Sequence, residues 1–201
     1  MLPKRIYLIR HGESEGNVDK QLYKIKPDWK MSLTKKGKAQ AFKTSTTMIY
    51  TSPWYRARQT ADIINSYLNC KLFEDPRLRE QSWGNYQEDY FNRKIERERH
   101  KFGSFYYSMS FGESGANVYD RISTFLETLY RDFQRDDFPE NVVIVAHGLT
   151  NRIFIMRWFH WSVEEFEIHK TQRNCEILRM TLQDDNRYKL ITPLRKRVKN
   201  A

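Results

Sequence analysis

Short apolar runs alternate along this chain with longer segments whose apolar residues recur every three or four positions. The first run, over residues 5–9 and closed by Arg10, predicts a short buried strand. Residues 12–31 mix Gly, Asn, Asp and Pro without a period and predict mostly loop. Ser32-Leu33-Thr34 marks the start of a helix over 35–42, and a short strand follows at 48–51. Ser52-Pro53 combines a capping hydroxyl with a proline suited to the first helical position. The helix it opens runs to residue 68, with Ala57, Ala61, Ile64 and Leu68 along one side.

A further strand is expected at 71–73, and the densely charged stretch 88–101 predicts an exposed helical insertion. Over 117–133 the residues Val118, Ile122, Phe125, Leu126, Leu129 and Phe133 are spaced 4, 3, 1, 3 and 4 apart, the stripe of an amphipathic helix. Residues 141–146, apolar from Val142 onward, read as a strand buried on both faces. A helix over 148–159 follows. Residues 175–182 and 188–191, separated by Asp184-Asp185-Asn186, read as a hairpin. Strands alternating with helices predict an α/β fold, a three-layer sandwich whose mainly parallel sheet is flanked by helices. No repeat or Pro/Gly-rich linker divides the chain. The expected organisation is one domain over 1–194, with an insertion at about 85–111, followed by a basic tail over 195–201.

Composition agrees with a packed domain. Leu, Ile, Val and Phe supply 47 of the 201 residues, above the roughly 20% below which chains tend to disorder. The formal net charge of +10 favours anionic partners without choosing among phosphorylated metabolites, nucleic acid and acidic membranes. No long apolar run precedes Arg10, and the longest, Val142 to Ala146, is far too short to span a bilayer, so a cytoplasmic protein without a membrane span is expected. Cys70 and Cys175 form no metal spacing and read as free thiols.

Two of the five histidines share a local context: Arg10-His11-Gly12 ends the first strand and Ala146-His147-Gly148 ends the central apolar one. Ligands of open α/β sheets bind beyond the carboxyl ends of the strands, so two His-Gly pairs placed there converge on one crevice. Glycine after each histidine lets the backbone approach a ligand closely. His100, His160 and His169 lack this placement and read as ordinary surface or core residues.

On these residues the chain resembles the histidine phosphatase superfamily, the phosphoglycerate mutase-like proteins. Arg10-His11-Gly12-Glu13 with Asn17 is similar to the family's opening signature. Leu33-Thr34 with Gly37 and Gln40-Ala41, then Ser52-Pro53 with Arg56-Ala57 and Thr60-Ala61, resemble its second and third blocks. Leu78-Arg79-Glu80 with Gly84, Gly112-Glu113-Ser114, and Val145-Ala146-His147-Gly148 follow in order. A single Arg-His-Gly is weak; six ordered blocks are specific.

The resemblance implies roles. His11 is then the nucleophile that forms a phosphohistidine, Arg10, Arg56 and His147 clamp the phosphoryl oxygens, Asn17 adds a hydrogen bond, Gly148 lines the substrate site, and Glu80 donates a proton to the leaving oxygen. The chemistry is coherent, because phosphoryl transfer asks mainly for positioning and cationic donors. Guanidinium forks match phosphate geometry, and nearby cations keep an imidazole neutral. Without the blocks, Arg56 is one arginine on a helix that also carries Arg58, Glu80 is one acid beside Glu74 and Glu88, and Glu113-Ser114 is a helix cap. No metal-binding motif or nucleotide loop is apparent, so no metal or cofactor is expected.

Only eight residues separate Ala41 from Tyr50, fewer than the family pattern implies, so the helix there is expected to be truncated. The expected function is a metal-independent phosphohydrolase acting on a small phosphorylated substrate. A mutase-type phosphotransferase is the nearest alternative, disfavoured by a basic tail after residue 191 that reads as mobile and not as a closed lid. An anion- or nucleic-acid-binding module is the remaining alternative, on Arg93-Lys94, Arg97, Arg99-His100-Lys101 and Arg195-Lys196-Arg197 with Trp83, Tyr106 and Tyr107. Such charge runs are usually solvated, and no nucleic-acid partner is expected. Substrate choice is expected to rest on the insertion, through Arg93, Arg97, Tyr106 and Tyr107.

Overall fold

The computed structural model describes residues 2–36, 47–84 and 93–197. Strands β1 (Arg5–Arg10), β2 (Thr47–Thr51), β3 (Leu72–Glu74) and β4 (Asn141–Ala146) run parallel, and β5 (Ile177–Leu182) and β6 (Tyr188–Leu190) add an antiparallel edge. The order across the sheet is β3-β2-β4-β1-β5-β6. The expected α/β architecture, a mainly parallel sheet between helices, is the one observed.

Helices α1 (Glu15–Val18), α2 (Tyr55–Leu68), α3 (Arg93–Phe102), α4 (Gly115–Phe133), α5 (Gly148–Phe159) and α6 (Val163–Ile168) are joined by 3-10 turns at Lys20–Lys24, Asp28–Lys30 and Pro76–Leu78. Period-two alternation sorts the central strands between two cores. Ile6, Leu8, Met48, Tyr50, Val142 and Ile144 pack with the Val118–Ile122–Phe125–Leu129 stripe of α4 and with Ile153 and Phe154 of α5. Ile9, Ile49, Val143 and Val145 pack with Ala57, Ala61 and Ile64 of α2. Phe125, Phe133 and Phe154 are fully buried, and each large apolar side chain so buried stabilises the fold by roughly 1.5–3 kcal/mol.

Several boundaries differ from the sequence reading. The helix after Ser52-Pro53 begins only at Tyr55 with Trp54 as its cap, because the Ser52 hydroxyl accepts the Trp54 N–H and also meets His147. Residues 12–31 hold one helical turn and two 3-10 turns within otherwise irregular chain. Lys35 and Lys36 are helical, while the rest of the helix expected over 35–42, and with it most of the short Ala41–Tyr50 connection, lies outside the described residues. Ser114 does cap α4, exchanging hydrogen bonds with Asn117.

The tail, expected to be mobile, is paired with the body of the domain as far as Arg197. Leu194 is buried, and the Arg195–Arg197 backbone pairs with Ile168–Lys170 through Lys170 N to Arg195 O and Arg197 N to Ile168 O, both 2.7 Å. One leucine and two backbone bonds were enough to anchor a segment that composition alone assigns to solvent. Residues 198–201 lie outside the described chain. The neck of the insertion is closed by two glycines. Gly84 has φ +53°, and a Cβ there would lie 2.1 Å from the Ser110 carbonyl, while one on Gly112 would lie 2.5 Å from that of Ser82. Among the described residues, no helix is long and apolar enough to cross a membrane.

Candidate active site

Parallel pairing in register carries the site. Arg10 of β1 stands opposite Ala146 of β4, and Thr51 of β2 opposite Val145. The next residues, His11, His147 and Ser52, therefore leave the sheet side by side. The ladder extends by one bond on each side, from His11 N to Ala146 O and from Ser52 N to Val145 O, both 3.0 Å. The two imidazole centroids are 5.2 Å apart.

His11 is buried, and its Nδ1 lies 2.7 Å from the Gly12 carbonyl. A carbonyl only accepts, so the proton sits on Nδ1 and the Nε2 lone pair is free to accept. Arg56 donates its Nε–H to that Nε2 over 3.0 Å. Burial first, then the charges of Arg56 and Arg10, hold the His11 pKa well below the usual histidine value. Arg56 is fixed in turn by Asp28, whose Oδ1 and backbone carbonyl accept from Nη1 at 2.7 and 2.8 Å, and it stacks on Trp54 with 4.8 Å to the ring centroid. Burial pushes the Asp28 carboxyl up, against the pull of Arg56.

His147 is fully buried behind His11 and packs against Trp54, with 5.1 Å between ring centroids. Its Nε2 meets the Ser52 hydroxyl at 2.8 Å, and its Nδ1 has no partner among the described residues. Burial, Arg56 and His11 together hold its pKa well below the usual value. Arg10 donates from Nη1 to the Gln172 carbonyl at 2.6 Å, and burial lowers its pKa. Gly148, the first residue of α5, is needed for close packing: a Cβ there would lie 3.2 Å from Thr171 Cβ and 3.6 Å from the Arg10 guanidinium carbon.

Glu80 sits at the N-terminus of α5. Its Oε1 accepts from Thr150 N and Thr150 Oγ1 at 3.2 and 3.0 Å, and its Oε2 accepts from Leu149 N at 3.3 Å. The segment carrying it is held from below by Glu113, which pairs with Arg79 at 2.7 Å and Arg121 at 3.2 Å and accepts Ser82 N at 2.8 Å. Arg121 also donates to the carbonyls of Arg77 and Arg79. Glu113 is thus a brace for the 77–82 segment and not a cap of α4.

Arg10, His11, Asn17, Arg56 and Glu80 open into one crevice of about 540 Å³. His147 lies behind it and Gly148 lines a neighbouring cavity. Of the rival acids, Glu74 is paired with Arg58, and Glu88 lies outside the described residues. The insertion reaches the crevice through Ile95, Arg99 and His100, one face of α3, with Trp83 and Met109. Three of the expected contributors differ, since Arg97 and Tyr106 are exposed and Tyr107 meets Glu98, while the Arg93 side chain lies outside what is described. Helical geometry explains this, since positions four apart share a face and Arg97 lies on the other one.

Sequence reading missed Asp28, Ser52 as a partner of His147, Gln172 and Asn174. Asn174 Nδ2 donates to the carbonyls of His11 and Gly12 and to Asn17 Oδ1 at 2.9 Å, tying Asn17 to the His11–Gly12 loop. Among the described residues, no group of three His, Cys, Asp or Glu side chains is placed to hold a metal ion. Cys70 and Cys175 are free thiols.

The sequence matches the histidine phosphatase superfamily (branch 1) over residues 6–191. The chain belongs to this superfamily. A phosphoglycerate mutase-like protein of Arabidopsis thaliana is 40% identical to it, with 94% of this chain and 77% of that protein covered. A broad-range acid phosphatase of Saccharomyces cerevisiae is 28% identical, covering 96% of this chain and 90% of its own. A mycobacterial glucosyl-3-phosphoglycerate phosphatase solved with VO3 superimposes with a TM-score of 0.73 at 20% identity, over 93% of this chain and 96% of that one. The last likeness concerns the fold. This histidine phosphatase superfamily member thus has relatives that are phosphatases and relatives that are mutase-like.

Proposed function

We propose that the chain is a metal-independent phosphomonoester hydrolase working through a phosphohistidine on His11. The observation that carries this reading is the fixed tautomer of His11: a neutral imidazole, with Nδ1–H held by Gly12 and Nε2 among cations. An arriving phosphoryl group takes the place of Nε2 as acceptor for Arg56, and Arg10 adds a second guanidinium. His147 meets the Ser52 hydroxyl through Nε2, and its Nδ1, without a partner among the described residues, is the nitrogen that serves a phosphoryl oxygen in this reading. Asn17 is held by Asn174 at the same loop.

In the first step His11 Nε2 bonds to phosphorus and the P–O ester bond breaks, the proton of the Glu80 carboxyl passing to the leaving oxygen. In the second, the Glu80 carboxylate takes a proton from water, whose oxygen attacks phosphorus. The P–N bond breaks, releasing inorganic phosphate and neutral His11.

A mutase-type reading gains one observation. The tail, anchored at Leu194, brings Arg197 to the lining of the crevice, so the site has more cover than a mobile tail offers. Supplying 3-phosphoglycerate with a bisphosphoglycerate primer separates the two. The hydrolase reading expects inorganic phosphate to outrun 2-phosphoglycerate; fast isomerisation with little phosphate released overturns it.

A further inference from the structure

Thr60 is fully buried on α2, one helical turn after Arg56, and the phosphoryl chemistry makes no direct use of it. Positions four apart share a helix face, so a single turn of α2 presents the Arg56 guanidinium and the Thr60 hydroxyl to the same loop. That loop is His11-Gly12. Thr60 Oγ1 accepts the Gly12 N–H at 3.0 Å and donates to the Arg56 carbonyl at 2.7 Å.

Together with the two bonds to the His11 ring, these close a circuit of four hydrogen bonds. Arg56 Nε–H donates to His11 Nε2 at 3.0 Å, and His11 Nδ1–H donates to the Gly12 carbonyl at 2.7 Å. The Gly12 N–H donates to Thr60, and the Thr60 hydroxyl donates back to the carbonyl of Arg56. Each residue gives one hydrogen and receives one, all in the same sense. The sense has no reverse, because a guanidinium and an amide N–H only donate and a carbonyl only accepts. The Thr60 hydroxyl is the member free to rotate. With an N–H on one side and a carbonyl on the other, it has one satisfying orientation. His11, Arg56 and Thr60 are all buried, and chained hydrogen bonds in such a low-dielectric interior polarise and strengthen one another. Asn174, from the α6–β5 connection, braces the Gly12 carbonyl with a further bond at 3.1 Å.

We propose that Thr60 is a positioning residue for the nucleophile: its hydroxyl closes the circuit that holds His11 in the Nδ1–H tautomer, with Nε2 toward Arg56, before substrate arrives. The proposal rests on the phosphatase reading, which gives that tautomer its use. When a phosphoryl group replaces Nε2 as the acceptor for Arg56, one bond of the circuit opens. The other three keep the ring aligned for attack on phosphorus. A threonine that merely fills space on α2 asks only for volume, which valine supplies.

The test reads the tautomer directly, by proton–nitrogen correlation NMR of protein carrying isotopically labelled histidine, with the His11 signals assigned by their loss in His11→Ala. Without substrate, the wild-type ring is expected to show a protonated Nδ1 and a bare Nε2. Thr60→Val, matched in shape, is expected to give a mixture of tautomers. It is also expected to lower kcat about 10- to 100-fold, the scale of one buried hydrogen bond left unmet, with KM changed less than about threefold. Thr60→Ser keeps the hydroxyl and is expected to recover most of both losses. Thr60→Cys, whose sulfur accepts weakly, is expected to lie between them and decides the matter if Thr60→Val does not fold. A wild-type tautomer in Thr60→Val, a Thr60→Ser no better than Thr60→Val, or a loss confined to Tm or to KM overturns the proposal. The NMR measurement needs no turnover. A tautomer fixed in wild type and lost in Thr60→Val, in a protein that releases no phosphate from any ester, upholds the circuit and defeats the phosphatase reading alone.

Discussion

Arg56 donates to the nitrogen of His11 that the proposed chemistry needs, across 3.0 Å, while Gly12 holds the proton of the other nitrogen at 2.7 Å. A protonated imidazole has no acceptor nitrogen, so this arrangement requires neutral His11. Burial and the neighbouring cations drive the ring the same way. Geometry and electrostatics thus select one tautomer and one charge state, both suited to attack on phosphorus.

Glu80 is the candidate proton donor, and the leaving group reads its role. Glu80→Gln is expected to slow release of phosphate from an alkyl ester by about 100-fold or more, within the range of general-acid catalysis. An aryl phosphate, whose phenolate leaves without help, is expected to lose far less in the first step. Single-turnover kinetics on both esters make the comparison. Equal losses mean that Glu80 positions substrate through the α5 N-terminus and donates no proton.

Asp28 fixes the Arg56 fork from a loop outside the sequence blocks. Asp28→Asn is expected to lower kcat/KM by about 10- to 100-fold, as for one misdirected charged donor. Asp28→Ala is expected to cost about 3 kcal/mol of stability as well, because it strands a buried guanidinium. Steady-state kinetics and urea unfolding check both. Full activity in the asparagine variant means that stacking on Trp54 alone orients Arg56.

Much of this site was legible because the parallel sheet reads out strand ends. His11 and His147 each follow a strand that the apolar pattern marks, and in-register pairing then makes them neighbours. Arg56 and Glu80 were legible only through resemblance to the family's blocks, since nothing local separates them from nearby Arg58 or Glu74. Asp28, Gln172 and Asn174 act through backbone and side-chain bonds made across long sequence separations, which no periodicity records. The tail was misread for a related reason. Its composition is solvent-like, and its anchoring depends on the buried side of Leu194 and on pairing with Ile168–Lys170.

The buried histidines make stability fall with acid. His11 and His147 both have folded pKa values well below the ordinary 6.5, so the unfolded chain binds more protons than the folded one below that pH. Their stabilisation is fully present above about pH 6.5 and is lost as pH falls toward the folded values, at up to about 1.4 kcal/mol per pH unit for each group. His147→Asn is expected to flatten the dependence of Tm between pH 7 and pH 5. An unchanged slope means that His147 protonates freely in the folded protein.

The central claim is covalent chemistry at His11, and the direct measurement is a trapped phosphoenzyme. Wild-type protein mixed briefly with labelled phosphomonoester and quenched is expected to carry one base-stable, acid-labile phosphate, mapped by mass spectrometry to the peptide containing Arg10-His11-Gly12. His11→Ala is expected to carry none while keeping its fold by thermal melting. Label that persists in His11→Ala, or turnover with no phosphoenzyme at any mixing time and with His11→Ala still active, contradicts the account.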